Sequence, residues 1–417
     1  MTHIVLLMAT IAAGTGVGVW GFIWWQDRPV RKVSALLDAE EYEQALRLAD
    51  QFLVDHPHDT RTQLLKARAF SALGRHTEAD SLFQQVALQS NGFPDDVAAL
   101  RDWSVTLLHL KKWPRAASVM ETLAQSAPSD PEILYRLSVA RIRLRQYEAA
   151  LESTRQLAAI PGHEDQANVM LGTIHHDRGN RRAALDAWEA VMQRNPEAAN
   201  LQISAGEFLA MVGGDLLEMG APERAAKTLE RSAAKRPDAR THALLGMAYS
   251  QTDRQAAAIE QWTKALKLED LNPIAREELA NAALRDGKSQ RAVDLMLPLT
   301  REPDLQSNSA YILQRAYTQL KQPEKAKGWR DRANVLREAE KTHSAVSEMI
   351  RNSTDPFWSG FLYTYQLAMQ GEWAQAEEIA VGLLEQRPGD LKLQRLAAAI
   401  RTRGEIPPLN ELTDNQL

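Results

Sequence analysis

Tyr147-Glu148-Ala149-Ala150-Leu151 is followed 34 residues later by Arg181-Arg182-Ala183-Ala184-Leu185, and the same style of segment recurs through the chain. Tyr42-Glu43-Gln44-Ala45-Leu46 precedes them; Pro222-Glu223-Arg224-Ala225-Ala226, Gln255-Ala256-Ala257-Ala258-Ile259 and Trp373-Ala374-Gln375-Ala376-Glu377 follow. Aligned on one alanine, the series is Ala45, Ala79, Ala116, Ala150, Ala184, Ala225, Ala258, Ala292, Ala326 and Ala376. The steps are 34, 37, 34, 34, 41, 33, 34, 34 and 50, so five of nine equal 34. A fixed period of this length means one supersecondary unit stacked on copies of itself.

Other positions keep the same register. Twelve residues before most of these alanines stands a small residue, as at Ala67, Ser104, Ser138, Gly172, Gly213, Gly246 and Ala280. Two helix backbones can approach closely only over a small side chain, so this is the crossing point of a helical hairpin. Leu137, Leu171, Leu245, Leu279 and Leu313 stand one residue earlier. Phe83 with Val86, Met120 with Leu123, and Trp188 with Val191 lie four and seven residues after the alanine, on one helix face. Pro57, Pro128, Pro196, Pro237 and Pro388 then end units, since proline has no amide to continue a helix. This pattern resembles the tetratricopeptide repeat (TPR) family over about residues 26–390, best over 165–198 and 239–272. Val33 and Gln314 depart from it at the crossing position, and the repeat around Ala326 lacks its proline. The resemblance implies a right-handed superhelix with a concave groove for protein partners; periodicity alone yields stacked helical hairpins.

Two steps are long. The 41-residue step holds Met211-Val212-Gly213-Gly214-Asp215, read as following a lengthened first helix near 198–218. The 50-residue step predicts one long second helix over Pro323–Asn352, with Trp329, Ala333, Leu336, His343, Val346 and Ile350 on a stripe that needs cover. Residues 391–403 read as a capping helix and 404–417 as a disordered tail.

Ahead of the repeats, Ile4 to Trp25 holds no Asp, Glu, Lys or Arg over 22 residues. Such a stretch is long enough, at about 1.5 Å per residue, to span the ~30 Å of bilayer hydrocarbon. Trp20, Trp24 and Trp25, then Arg28, Arg31 and Lys32, suit its interfacial end. Residues 4–25 are therefore expected to be a transmembrane anchor rather than a cleaved signal, whose leading segment would be basic. The charge asymmetry places the repeats on the cytoplasmic face, with export to the periplasmic side as the alternative. Gly14 and Gly18 make a G-x-x-x-G of the kind a homodimer seam uses, although glycine is common in membrane helices without one, which is the preferred reading. The expected fold is all-α: one transmembrane helix, then a TPR-like α-solenoid of about ten hairpins.

Composition limits the chemistry. The 417 residues include no cysteine, which removes disulfides, thiolate metal sites and thiol nucleophiles. Forty-nine Lys and Arg against fifty-four Asp and Glu give a formal charge of −5, without the basic stripe of a nucleic-acid binder. No H-E-x-x-H, phosphate-binding glycine loop with its Lys-Ser/Thr, or G-x-S-x-G occurs outside the apolar stretch. Neighbouring residues in His175-His176-Asp177 point about 100° apart on a helix, so the two histidines cannot chelate one ion from one face. No catalytic, cofactor or metal residues are assigned. The expectation is a membrane-anchored, non-catalytic scaffold binding proteins or peptides, with an envelope-side assembly or maturation factor, or a regulatory subunit, as the alternative. Aromatics with arginine on the inner helices make Tyr135, Arg143, Tyr311, Arg315, Trp358, Phe361 and Tyr365 the candidate partner-binding residues.

Overall fold

The computed structural model describes residues 29–412 except 91, 95 and 304, and every described element is helical. It divides into two compact units, one ending at Arg143 and one starting at Leu144. The first contains α1 (29–38), α2 (Tyr42–Asp55), α3 (Thr60–Ala72), α4 (His76–Gln89), α5 (Val97–His109), α6 (Trp113–Ser126) and α7 (Pro131–Arg143). The second opens with α8 (Tyr147–Ala158). Five packed pairs follow: α9 (Glu164–Asp177) with α10 (Arg181–Arg194), α11 (Ala205–Glu218) with α12 (Pro222–Lys235), α13 (Ala239–Gln251) with α14 (Gln255–Leu268), α15 (Pro273–Arg285) with α16 (Ser289–Met296), and α17 (Ser307–Gln319) with α18 (Pro323–Asn352). A sixth pair, α19 (Pro356–Met369) and α20 (Trp373–Gln386), leads to α21 (Leu391–Thr402) and the short α22 (Leu409–Leu412).

The turn that ends each first helix repeats as strictly as the alanines. Glu40, Gly74, Lys111, Arg145, Gly179, Gly220, Asp253, Gly287, Lys321 and Gly371 all have φ between 57° and 78°. Each lies five residues before a repeat alanine. The amide after it closes on a carbonyl five residues back, as from Arg75 to Phe70 (2.9 Å), Asn180 to His175 (2.8 Å) and Gln322 to Tyr317 (3.0 Å). That closure satisfies carbonyls orphaned at the helix end and reverses the chain. Half of these left-handed positions are not glycine, so the turn is held by its hydrogen bonds at a local cost of about 1–2 kcal/mol. The first helices also have side-chain caps, including Asp59 on Thr62 N (2.8 Å), Asp238 on Thr241 N (2.7 Å) and Asn272 on Ala275 N (3.0 Å).

Within a pair, the small residue decides how closely the helices pack. A Cβ on Gly172 would stand 2.1 Å from Nε1 of Trp188, and one on Gly246 would stand 2.4 Å from Nε1 of Trp262. Both indoles are fully buried, and each donates to a first-helix carbonyl, Val169 O (3.1 Å) or Ala243 O (3.2 Å). Gly213 faces Leu229 in the same manner, its Cβ position 2.5 Å from Cγ, whereas beside Gly214 the nearest atom is Leu244 Cδ1 at 3.7 Å. Adjacent glycines should therefore answer alanine with opposite signs. Gly213→Ala forces Leu229 aside and costs about 1–3 kcal/mol. Gly214→Ala relieves the helix of a glycine and gains up to about 1 kcal/mol. Urea denaturation of the two variants checks this; equal shifts would contradict the crossing geometry.

The long steps are resolved differently. The extra residues before Ala225 sit in the connection 195–204, where Ala198 and Asn200 are left-handed, and α11 begins only after its cap Ser204. No lengthened first helix occurs over 198–218. The 50-residue step is α18, a single helix of 30 residues with Ala326, Ala333, Val346 and Ile350 buried near its two ends. Its middle borders open space. Beyond α21, α22 lies in the segment read as a polar tail; Leu412 there is fully buried and Glu411 pairs with Arg395 (2.7 Å). Within the second unit, α8 also packs against α19. Gln146 Nε2 donates to Pro356 O (3.2 Å) and the Arg145 guanidinium lies 5.6 Å from the Tyr363 ring centre.

The membrane part of the expected fold class is corrected. Among the described residues no helix is long and apolar enough to cross a bilayer. A span needs about 20 consecutive apolar residues; α18, about 45 Å long by its rise per residue, bears charged side chains along its whole length. The transmembrane, single-pass assignment and the membrane localisation built on it, cytoplasmic-facing or exported, are therefore not supported. Residues 4–25, with Gly14 and Gly18, lie outside the described residues.

Candidate functional site

Within the second unit the first helices α11, α13, α15 and α17 pack one against the next, so residues at matching offsets from the crossing position share one face. In the second unit α9, α11, α13 and α15 together enclose a cleft of about 270 Å³. From α9 comes His176; from α11, Met211, Gly214, Asp215, Leu217 and Glu218; from α13, Arg240, Leu244 and Met247; from α15, Ile274, Glu277 and Glu278. Aliphatic and thioether walls thus carry a few charged groups, the make-up of a binding recess.

Asp215 is the centre of its electrostatics. The residue is 1% exposed, and its Oδ1 accepts from His176 Nδ1 at 2.7 Å and lies 3.4 Å from Arg181 Nε. Arg181 also donates to Glu218 (2.6 Å) and to the His176 carbonyl. Asp215 Oδ2, by contrast, is buried without any donor. A buried polar atom left unmatched costs about 1–3 kcal/mol, and it is the kind of atom a ligand satisfies. Glu277 accepts from Asn308 (2.7 Å) and from Ser309. Neighbouring Glu278 is half-buried; burial pushes its carboxyl above the usual range, opposed by Arg285 and reinforced by the Glu277 charge. Arg240 is exposed on the cleft wall.

The Glu278 shift has a definite sign. A carboxyl with a raised folded pKa adds stability below its unfolded pKa of about 4.3 and loses it as pH rises through the raised value. Glu278→Gln should therefore raise the denaturation midpoint at pH 7, and the gain should vanish near pH 4. A lower midpoint at pH 7 would show that the carboxylate is held by partners rather than merely confined.

A larger recess of about 810 Å³ lies between the start of α17, the middle of α18 and α19, lined by Leu336, His343, Val346, Tyr365 and Met369 among others. Several of its polar groups are paired. Glu340 accepts from Ser307 N and Oγ (both 2.6 Å), and Gln366 meets His343 (3.0 Å) and Ser347 (2.8 Å). Of the two, the smaller cleft is the one with a buried unpartnered polar atom on a lining residue, Asp215.

The sequence-derived candidates are placed as follows. In the first unit Tyr135 is half-buried, with burial pushing its hydroxyl up, and the exposed Arg143 guanidinium lies 5.8 Å from the Trp113 ring centre. In the second unit Arg315 stands 5.9 Å over Tyr311, which is 46% exposed, and donates to Asn281 (3.3 Å). Trp358 stacks on Phe361 at 5.0 Å, but Phe361 is 1% and Tyr365 5% exposed, which places both rings in the core of the last pair. None of the seven lines the Asp215 cleft. The residues that do, apart from His176 and the Met211–Asp215 stretch, were not singled out. Their signal is the offset from the crossing residue: Arg240 and Ile274 stand six before it, Leu244 and Glu278 two before, Met247 one after and His176 four after. Among the described residues no group of three or more His, Asp or Glu is arranged to hold a metal ion.

Comparison with known proteins gives two family models. The Psidin N-terminal TPR repeats region matches residues 27–161, and a tetratricopeptide repeat model matches 243–301. No curated protein sequence matches the chain. Among solved structures, MamA from Desulfovibrio magneticus is 20% identical over 43% of this chain and 98% of its own, with a TM-score of 0.38. YrrB, described as a TPR protein with an unusual peptide-binding site, is 16% identical over 46% of this chain and 95% of its own (TM-score 0.36). PilW, described as a type IV pilus biogenesis factor, is 15% identical over 48% and 90% (TM-score 0.42).

Proposed function

Because the chain belongs to the tetratricopeptide-repeat superfamily, we propose that it is a non-catalytic adaptor that holds a protein partner by a peptide segment laid across its first helices. One observation carries this reading: four consecutive first helices build a single cleft lined by Asp215, a residue that keeps one buried carboxylate oxygen without a partner. A repeat array gains no stability from leaving that atom unmet, and a bound peptide supplies the donor. Apolar walls beside a small number of charged groups suit recognition of a side chain, where area and one oriented polar contact act together.

The test exploits Gly214, whose open side lets a large residue enter the cleft without touching the hairpin crossing. Gly214→Phe should leave the far-UV circular dichroism of the full chain unchanged while removing the partners captured by the wild type. Retention of the same partners by the folded variant would place recognition elsewhere.

A further inference from the structure

We propose that the cleft takes an arginine or lysine side chain of the partner peptide, with the cationic head set among the carboxylates of Asp215 and Glu278 and the aliphatic stem against Met211, Leu244 and Met247. This rests on the peptide-binding reading above and names what the peptide must present.

The residues divide the cleft into a stem site and a head site. Met211, Leu244 and Met247 provide flexible apolar wall, and thioethers adapt to a chain of methylenes without a fixed shape. Asp215 and Glu278 then offer what a cation needs. Asp215 already spends Oδ1 on His176 and Arg181, while its enclosed Oδ2 accepts nothing. Glu278 is half-buried with the Glu277 charge beside it. An incoming cation would offset the crowding of negative charge, and a small turn of the Asp215 carboxylate would bring the orphaned oxygen to its N–H donor in a charge-assisted hydrogen bond, the stronger kind. A carboxylate ligand would do neither: it carries no donor for Oδ2 and adds a like charge. Arg240, on the wall, is the group that would favour such an anion instead, which makes the two ligand chemistries separable by mutation.

The experiment selects binders from a random dodecapeptide library on the full chain. Binding to the cleft is read from ¹³C-methyl methionine signals, with Met211 and Met247 assigned by Met→Leu replacement. Selected peptides should carry Arg or Lys at a fixed position and shift both signals. Replacing that Arg by uncharged, isosteric citrulline, or that Lys by norleucine, should weaken Kd at least tenfold. Glu278→Gln should weaken it about three- to tenfold and flatten its salt dependence. Arg240→Gln, which removes a like charge from the cleft wall, should tighten Kd. Peptides that shift Met211 and Met247 yet bind equally well without the basic residue, or that depend on an acidic residue and Arg240, would overturn this inference and leave the peptide-binding reading standing. Binders that leave both methionine signals unmoved would overturn the two together.

Discussion

Gly172→Val is expected to melt the α9–α10 pair. The first atom added at this position falls 2.1 Å from Nε1 of Trp188 and 2.3 Å from its Cδ1. Neither partner has room to yield: the indole is fully buried and its N–H is fixed on Val169 O. Either the helices separate or the ring leaves its site, and emptying a buried tryptophan site costs about 3–5 kcal/mol. In a stacked array each pair leans only on its neighbours, so the damage should be local at first. Hydrogen exchange should show lost protection over residues 164–194 before the rest of the second unit, together with a lower denaturation midpoint. Wild-type protection in that segment would refute the crossing assignment. Gly214→Ala serves as the control, since it alters the same kind of backbone without crowding a neighbour.

Phe361→Ala has the second large effect, and it separates folding from recognition. The ring is 1% exposed and stacked on Trp358, in the helix that packs on α20, α21 and α8. Removing it leaves a cavity worth about 3–5 kcal/mol. The contacts of α19 with the start of the second unit, Gln146 on Pro356 and Arg145 over Tyr363, depend on that helix holding its place. Limited proteolysis should therefore release the segment from residue 353 onward in the variant and not in the wild type. A variant that keeps wild-type stability while losing a partner would make Phe361 a recognition residue after all.

The Trp358, Phe361 and Tyr365 stripe shows where sequence reading stops. Spacing of three and seven residues fixes a common helix face, because that follows from 3.6 residues per turn. Whether that face meets solvent or other helices depends on segments far along the chain. Tyr365 is covered, with burial raising its hydroxyl and the backbone of Leu409 partly offsetting it. The His175-His176 pair has the same lesson. Helical geometry predicts that the two rings diverge, and they do: only His176 reaches across 39 residues to Asp215.

The repeat itself was legible from residues alone. A small side chain, an alanine and a proline at constant offsets are local demands of one helical hairpin, and any chain that stacks such hairpins must restate them every 34 residues or so. The left-handed turns obey the same period, but half of them carry Glu, Lys, Arg or Asp, so composition conceals what the backbone repeats. The cleft belongs to the tertiary structure. Asp215 Oδ2 lacks a donor only because of how helices 30 to 40 residues apart present their side chains to it, and hydrogen-bond satisfaction depends on atoms in space, which no spacing along the chain encodes.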